Sequence, residues 1–199
     1  MRHSPCIRGL LLWALAGLWL GLTGGEARAQ AGIEGSGAPF GVRSAYLQLV
    51  DGVYLLSARL YIPVDDTLRA ILKDGVAVRL GLELKVIRRR NYWMDEGVAT
   101  LHQQYQLNYH ALSDRYIVRN LNGGEQLTFA TLEDALQELT HIQHLPALDQ
   151  ALVRKDRDYE ATLRATLEVG EAPAVLRWLM FWADDGRRES EWYTWRVLQ

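Results

Sequence analysis

The sequence predicts a mainly β protein of the α+β kind, in which two antiparallel sheets form an immunoglobulin-like sandwich with two or three short helices at its edges. Three observations predict this fold class. Apolar and polar side chains alternate through eight segments, turn sequences rich in Gly, Asn and Asp separate several of them, and the segments lack the continuous apolar runs of a parallel sheet. A small antiparallel barrel with a ligand cavity is the alternative.

The first two predicted strands form a hairpin. Residues 44–50 alternate between apolar and polar side chains, and residues 54–62 continue this alternation until Pro63 ends the second strand. Asp51-Gly52 lies between the strands and is typical of a two-residue hairpin turn, because both residues tolerate positive φ. These two strands are therefore expected to pair antiparallel.

A helix and two further strands are predicted next. Asp65 or Asp66 is expected to cap a short helix that Gly75 ends. Residues 78–86 show the most regular alternation of the chain, and residues 99–109 alternate in the same way. Each of these strands is expected to place one face in the core and the other in water.

The second half of the chain is predicted to contain a second helix and four more strands. Thr131 opens this helix, with Asp134 as a weak capping partner, and Pro146 closes the region that follows it. Pro173 is expected to begin one or two helical turns. The four strands are predicted at residues 115–120, 125–129, 162–169 and 192–198.

The first 29 residues have the pattern of a secretory signal peptide. Arg2 and Arg8 supply positive charge, and residues 9–22 carry no charged side chain. A helix of that length rises about 21 Å, which is short for a bilayer core of about 30 Å. Ala27-Arg28-Ala29 then supplies a small-x-small cleavage site. We therefore expect export, with an uncleaved membrane anchor as the alternative.

The mature chain is predicted to be one domain with a short lead-in. Residues 30–43 are rich in Gly, Ala and Ser, which is typical of a flexible segment. The strand pattern that follows predicts a single β-rich domain over residues 44–199. A chain of this size buries about 70% of its unfolded surface, so it needs no disulfide for stability.

The charge and the cysteine content of the exported chain argue against a nucleic-acid-binding site and against cysteine-based sites. The sequence carries 22 Lys and Arg against 24 Asp and Glu, and cleavage after Ala29 removes three Arg and one Glu, so the net charge changes from −2 to −4. A negative surface argues against nucleic-acid binding as the main activity. The only cysteine, Cys6, leaves with the signal peptide, so no disulfide and no cysteine metal ligand are expected.

The polar motifs of the chain do not indicate catalysis. His141-x-x-His144, with Glu138 three residues earlier, has the spacing of metal ligands, but its predicted place at the end of the second helix favours a solvated polar face. No serine lies in a Gly-x-Ser-x-Gly or Ser-x-x-Lys pattern, and the paired acids lie beside turns or helix starts. We therefore predict no catalytic residue, no metal and no cofactor. A hydrolase that combines acids with His110 is the weakest alternative.

Four residues are the candidate contacts of a binding site: Arg88, Arg90, Trp93 and Trp192. Strand alternation directs Arg88 and Arg90 to one side and Arg89 to the other, where these arginines are expected to pair with local acids or stack on Trp93. Arg and Trp are enriched at the energetic centres of protein interfaces. This strand end is therefore also a candidate partner-binding edge.

Aromatic residues are concentrated near the C-terminus. Trp178 and Trp182 would be neighbours on a helix. Alternation in the terminal strand directs Tyr193 and Trp195 toward the core and Trp192 to the other side. Core packing is favoured for these rings, and an exposed aromatic groove for a peptide, a glycan or a lipid headgroup is the alternative.

Three motifs carry a resemblance to a known family. They are Arg89-Arg90-Asn91-Tyr92-Trp93, then Tyr105-Gln106-Leu107-Asn108-Tyr109-His110-Ala111-Leu112-Ser113 with Tyr116 after it, and Ser190-Glu191-Trp192-Tyr193-Thr194-Trp195. Together with the signal peptide, they resemble the proteobacterial family called domain of unknown function 4390. The resemblance implies a periplasmic location in a Gram-negative cell and supplies no catalytic residues. Members are often encoded beside membrane sensor kinases, which implies an accessory role in envelope signalling.

The sequence therefore predicts an exported, periplasmic binding or interaction module that is not an enzyme. The expected partner is a periplasmic protein or the exported domain of a membrane sensor, and neither nucleic acid nor a membrane span after signal cleavage is expected. The alternative is a carrier that holds a small hydrophobic ligand between its sheets or inside a barrel.

Overall fold

A computed structural model describes residues 39–90, 94–170 and 187–197. These residues form ten strands, two α-helices and one 3-10 turn, Gln150–Leu152. The helices are α1 (Asp66–Lys73) and α2 (Leu132–Thr140). The strands are β1 (Gly41–Val50), β2 (Val53–Tyr61), β3 (Val78–Arg88), β4 (Glu96–His110), β5 (Arg115–Asn120), β6 (Gln126–Phe129), β7 (His141–Asp149), β8 (Tyr159–Val169), β9 (Arg187–Glu189) and β10 (Tyr193–Arg196).

The described strands form two antiparallel sheets, and their order confirms the predicted immunoglobulin-like sandwich. Sheet 1 has the order β1-β2-β7, and sheet 2 has the order β10-β8-β3-β4-β5-β6, with β9 also paired to β8. In immunoglobulin lettering, β1, β2 and β7 correspond to strands A, B and E, and β10, β8, β3, β4 and β5 correspond to G, F, C, C′ and C″ of variable-type domains, with β6 and β9 as additional strands. The two sheets stay separate, so the alternative of a small closed barrel is wrong.

The core lies between the inner faces of the two sheets. Leu56 of β2, Leu84 of β3 and Leu163 of β8 are each at most 2% exposed. Burying one such side chain contributes about 1.5–3 kcal/mol to stability. Every second residue of β3 is buried, which confirms its predicted alternation. These inward residues are Val78, Leu80, Leu82, Leu84 and Val86.

Both helices begin at predicted capping residues. The Asp65 carboxylate accepts a hydrogen bond from the backbone N–H of Leu68 at 2.7 Å, and the Thr131 hydroxyl accepts one from the N–H of Asp134 at 3.2 Å. These bonds satisfy N–H groups that the first helical turn leaves without a partner. Each helix then packs its apolar side on the sandwich, where Ala135 of α2 is completely buried.

The prediction of eight strands is wrong because it omitted β7 and β9. β7 contains Pro146, and its pairing with β2 is interrupted by two register shifts. These irregularities remove the alternation by which a strand is recognised. Pro146 is tolerated because β7 is an edge strand of sheet 1, where a missing N–H need not break a ladder bond.

Several sequence predictions fall at or beyond the limits of the described residues. β1 begins at Gly41, so the last three residues of the predicted lead-in belong to sheet 1. The predicted signal peptide and the helical turns expected from Pro173, with Trp178 and Trp182, lie outside the described residues. Within the described part of the chain, no helix combines the length and the apolar character that crossing a membrane requires.

Candidate functional site

The outward face of sheet 2 carries charged side chains at its centre. Residues 79, 81, 83 and 85 of β3 alternate with the buried ones and therefore point away from the core. Glu83 lies opposite Arg164 of β8 on one side and opposite His102 of β4 on the other. Since 81 positions separate Glu83 from Arg164 in the sequence, only the folded sheet brings them together.

Arg164 is the centre of an ion-pair network on this face. Its Nη2 donates to Glu83 Oε2 at 2.8 Å, and its Nη1 donates to Glu189 Oε2 at 2.8 Å. Lys85 Nζ lies 2.9 Å from Glu83 Oε1, and Arg187 Nη2 lies 2.7 Å from Glu189 Oε1. Arg164 Nε is buried and has no hydrogen-bond partner among the described residues. The two carboxylates hold the guanidinium plane in one orientation.

The network also changes the acidity of Glu83. The hydrogen bond from Lys85 is the largest of the effects that lower the pKa of this carboxyl. Burial acts in the opposite direction, and the hydrogen bond from Arg164 lowers the pKa further. Glu83 is therefore ionised at neutral pH and keeps both cations in place.

A β-bulge separates β9 from β10 and sets the direction of Trp192. Glu189 pairs with Thr166 and Tyr193 pairs with Leu163, so three residues of the edge lie opposite two residues of β8. The extra residue shifts the alternation between inward-facing and outward-facing side chains along this edge by one position. Tyr193 packs against the core, whereas Trp192 is exposed, as the sequence predicted.

Trp192 lies over the charged network. The Lys85 ammonium and the Arg164 guanidinium each lie 4.6 Å from the centre of its ring system. Such cation–π contacts attract the cation to the face of the ring. Because 37% of Trp192 remains exposed, the ring is held by the protein and is still open to solvent.

A small depression lies beside Arg164, and we call it the Gly81 notch. Gly81 is an outward residue of β3, and its neighbours on the adjacent strands are Gln104 and Thr166. The notch has a volume of about 250 Å³. Its charged lining residues are Arg79, Glu83, Arg164, Glu168 and Arg187.

The arginines predicted as binding residues pair with acids at the ends of β3 and β4. Arg88 and Arg90 both contact the Glu96 carboxylate, and Arg89 Nη2 donates to Glu160 Oε2 at 2.7 Å. The predicted pairing with local acids is confirmed. The prediction that Arg88 and Arg90 point to one side and Arg89 to the other is also confirmed, since Arg88 and Arg90 share one acid and Arg89 contacts another. Arg89 Nη1 also lies 3.5 Å from Asp95 Oδ2, so three acids compensate these three charges within the chain.

The structure does not bring Arg88 and Trp192 together. Arg88 belongs to the same row of β3 as buried Val86, whereas Trp192 contacts Lys85 in the outward row. The fourth predicted residue, Trp93, lies outside the described residues. We therefore centre the candidate site on Trp192 and the network beneath it.

A second, larger cleft lies between α2, β7 and strands β4 to β6. It has a volume of about 630 Å³, and more than half of its lining residues are polar, among them Tyr105, Asn120 and Glu138. Burial raises the pKa of the Tyr105 hydroxyl above its ordinary value, so the group is neutral and can donate a hydrogen bond. The described lining of this cleft contains no Lys or Arg.

The predicted placement of the histidine pair is wrong, because α2 ends at Thr140 and both histidines belong to β7. His141 Nδ1 lies 2.9 Å from the carbonyl oxygen of Gln137, and His144 has a φ of 52°. Residues three apart point in opposite directions on a regular strand, so the helical spacing argument does not apply here. In the described part of the chain, no three His, Cys, Asp or Glu residues form a group that could hold a metal ion.

Comparison with known proteins identifies the family. A family model described as Domain of unknown function (DUF4390) matches residues 38–196. The chain belongs to this family. No curated protein and no solved structure matches the chain. The match covers both sheets and the Trp192 bulge, so the described fold corresponds to the DUF4390 region.

The most specific stretch of the DUF4390 resemblance, residues 105–113, forms the end of β4 and the turn into β5. Tyr109 Oη donates to Asp114 Oδ1 at 2.7 Å, which raises the pKa of the Tyr109 hydroxyl more than burial does. His110 Nδ1 lies 2.9 Å from Ser113 Oγ across the same turn. These contacts hold Tyr109, His110 and Ser113 of the motif in the hairpin between β4 and β5.

Sequence reasoning missed three residues of the site. Gly81 did have a signal, since it occupies an outward position in the most regular strand, where glycine often marks the close approach of a ligand or another backbone. Arg79 occupies the next outward position. Arg164 had no such signal, because its partners Glu83 and Glu189 belong to other strands.

Proposed function

We propose that this DUF4390 protein is an exported periplasmic binding module that binds a partner protein on the Trp192 face, which we define as Lys85, Arg164, Glu189 and Trp192. One observation carries the proposal. The exposed Trp192 ring is held 4.6 Å from two cations on the outward face of an antiparallel sheet. Trp and Arg are the residue types most enriched among those that dominate binding energy at protein interfaces.

The rigidity of the Trp192 face supports this proposal. Arg164 is bonded to two carboxylates, and Trp192 rests on its guanidinium. A side chain that is already held in place loses little conformational entropy when a partner binds. The face therefore supplies a preorganised aromatic anchor with a polar surround, which is the arrangement of a protein-binding surface.

The first candidate partner is the exported domain of a membrane sensor. The resemblance to the DUF4390 family implies this partner class, because family members are often encoded beside sensor kinases. Such a domain would meet the module outside the cytosol, where the predicted signal peptide directs the chain.

Site-specific photocrosslinking in the native host tests the proposal. Thr194, which is exposed on the outward face of sheet 2 beside Trp192 and does not line the Gly81 notch, is replaced by p-benzoylphenylalanine, and Tyr46 on sheet 1 is replaced in a matched control. We expect a discrete protein crosslink from position 194 that is weaker or absent from position 46. Trp192→Ala should abolish the crosslink while the thermal melting curve stays cooperative. A crosslink from position 46 alone, or one that Trp192→Ala leaves intact, would overturn the proposal.

A small-ligand carrier is the second candidate function, and the cleft of about 630 Å³ favours it. This volume lies within the about 300–1,000 Å³ typical of small-molecule sites. Its polar lining favours a polar ligand over the hydrophobic one expected from the sequence. Native mass spectrometry of the purified protein should then show a bound species that Tyr105→Phe or Glu138→Gln weakens, and consistently empty protein would contradict this function.

A further inference from the structure

The glycine at position 81 has no explanation in the packing of the described residues. Its φ lies outside the left-handed region, and a Cβ built on it would meet Thr166 at an ordinary 3.8 Å. Neither backbone conformation nor crowding therefore requires glycine. A glycine inside a strand weakens it, and such glycines often mark places where a ligand or another chain approaches closely.

One arginine of the Gly81 notch makes no ion pair with a described residue, because the acid opposite it is bonded to another arginine. Glu83 is bonded to Lys85 and Arg164, and Glu168 Oε1 lies 3.0 Å from Arg187 Nη1. Arg79 also lines the notch and lies opposite Glu168 in the register of β3 and β8, but it makes no ion pair or hydrogen bond with any described residue. The acids of the notch are thus already neutralised, whereas its Arg79 guanidinium is available to an anion.

The size and neutral groups of the notch indicate what kind of anion it fits. Its volume of about 250 Å³ is enough for a side chain but below the range of drug-sized ligand sites. Gln104 and Thr166 flank Gly81, which has no side chain, and they supply hydrogen-bonding groups. A carboxylate is planar and matches the fork of an arginine, with which it forms two parallel hydrogen bonds.

We infer that the Gly81 notch receives an Asp or Glu side chain of the partner protein and that Arg79 binds its carboxylate. This inference rests on the proposed function, because the partner that covers the Trp192 face brings the carboxylate to the notch. Arg79 is thus a specificity-determining residue, which selects partners that carry an acidic side chain at the matching position. Trp192 supplies the apolar anchor beside it.

A titration with a defined probe tests the notch without knowledge of the partner. N-acetyl-glutamate N-methylamide, which carries the carboxylate, is added to the full mature protein while the backbone amide signals are followed by NMR. We expect saturable shifts at Gly81 and Thr166 with a dissociation constant of about millimolar strength, as a small probe allows. Arg79→Gln should weaken binding by about tenfold or more, because one charged hydrogen-bonding partner is lost. Gly81→Val should remove binding by filling the notch.

Matched variants and a matched probe complete the experiment. Arg59→Gln removes an exposed arginine of sheet 1, and Gly97→Val adds a side chain to another strand glycine with no atom within 4 Å. Both should bind as the wild type does. The glutamine analogue, which lacks the charge, should produce no saturable shift at Gly81. Absence of binding by the wild type, or equal binding by Arg79→Gln, would overturn the inference.

The two proposals fail in different ways. If Trp192→Ala abolishes the photocrosslink while Arg79→Gln and Gly81→Val leave it unchanged, the Trp192 face binds a partner and the carboxylate inference is wrong. If the probe binds the notch but no crosslink forms at position 194, the notch is a carboxylate site and the proposed function fails. The loss of crosslinking in all three variants, with cooperative melting retained, supports both.

Discussion

The guanidinium of Arg164 lies 4.6 Å from the ring centre of Trp192 while its Nη1 and Nη2 atoms donate to Glu189 and Glu83. The cation thus contacts two carboxylates at its edge and an aromatic ring at its face. Arginine suits this position because its guanidinium is planar and permanently charged. The arrangement couples three strands of sheet 2 and keeps an exposed aromatic ring in one place.

The first prediction concerns the coupling between these two side chains. A double-mutant cycle with Trp192→Ala and Arg164→Met should give an interaction energy of about 0.5–1 kcal/mol, as expected for a cation–π pair at a partly exposed site. The free energy of unfolding in urea provides the measurement. Arg164→Lys should lose most of this coupling, because an ammonium cannot contact both carboxylates and the ring face together. Strict additivity of the two single changes would contradict the prediction.

The second prediction concerns how the free energy of unfolding falls as the pH is lowered below neutral. The pKa of Glu83 is lower in the folded state than its ordinary value of 4.5, chiefly through the hydrogen bond from Lys85. The folded state therefore binds this proton less readily than the unfolded state, so Glu83 stabilises the fold above about pH 4.5 and loses that contribution as pH falls through its folded-state pKa. Glu83→Gln should lower stability at pH 7, and its difference from the wild type should shrink on acidification.

An NMR titration of the Glu83 carboxyl gives an independent measurement of the same effect. Lys85→Met removes the donor that lowers the pKa most, so the pKa of Glu83 should rise toward its ordinary value. An unchanged pKa of Glu83 in Lys85→Met would show that the hydrogen bond is not its cause.

The third prediction concerns Ser190 at the bulge. Its Oγ accepts a hydrogen bond from the backbone N–H of Ala165 at 2.9 Å, and both residues are buried. Ser190→Ala leaves that N–H without a partner, which should cost about 1–3 kcal/mol. Ser113→Ala, which removes an exposed hydroxyl, is the control and should cost less. Equal unfolding free energies for the two variants would contradict the assignment.

The fourth prediction concerns the hairpin turn between β1 and β2. Asp51 has a φ of 48° and Gly52 a φ of 82°, so the turn needs two left-handed residues in succession. Gly52→Ala should destabilise the protein by about 1–2 kcal/mol through backbone strain alone. Gly97→Ala, at a glycine outside the left-handed region, should change stability by less than about 0.5 kcal/mol. Thermal unfolding of both variants provides the comparison, and equal melting temperatures would count against the strained turn.

Local features of the fold were predictable because they depend on neighbouring residues only. The caps at Asp65 and Thr131 and the Asp51-Gly52 turn use side-chain and backbone preferences that act over a few positions. The direction of Trp192 followed from the alternation of the terminal strand. β7 was not predictable in this way, since Pro146 and two register shifts hide a strand whose existence depends on pairing with β2.

The amino-acid sequence determined which side of each regular strand is apolar, where the hairpin turns and helices begin, and to which family the chain belongs, because these properties follow from short-range stereochemistry and from motifs. The tertiary structure alone decided that Glu83, Arg164 and Trp192, which belong to different strands, meet on one face. The physical reason is that strand order depends on which pairings bury the most apolar surface across the whole chain, and no local pattern encodes that choice.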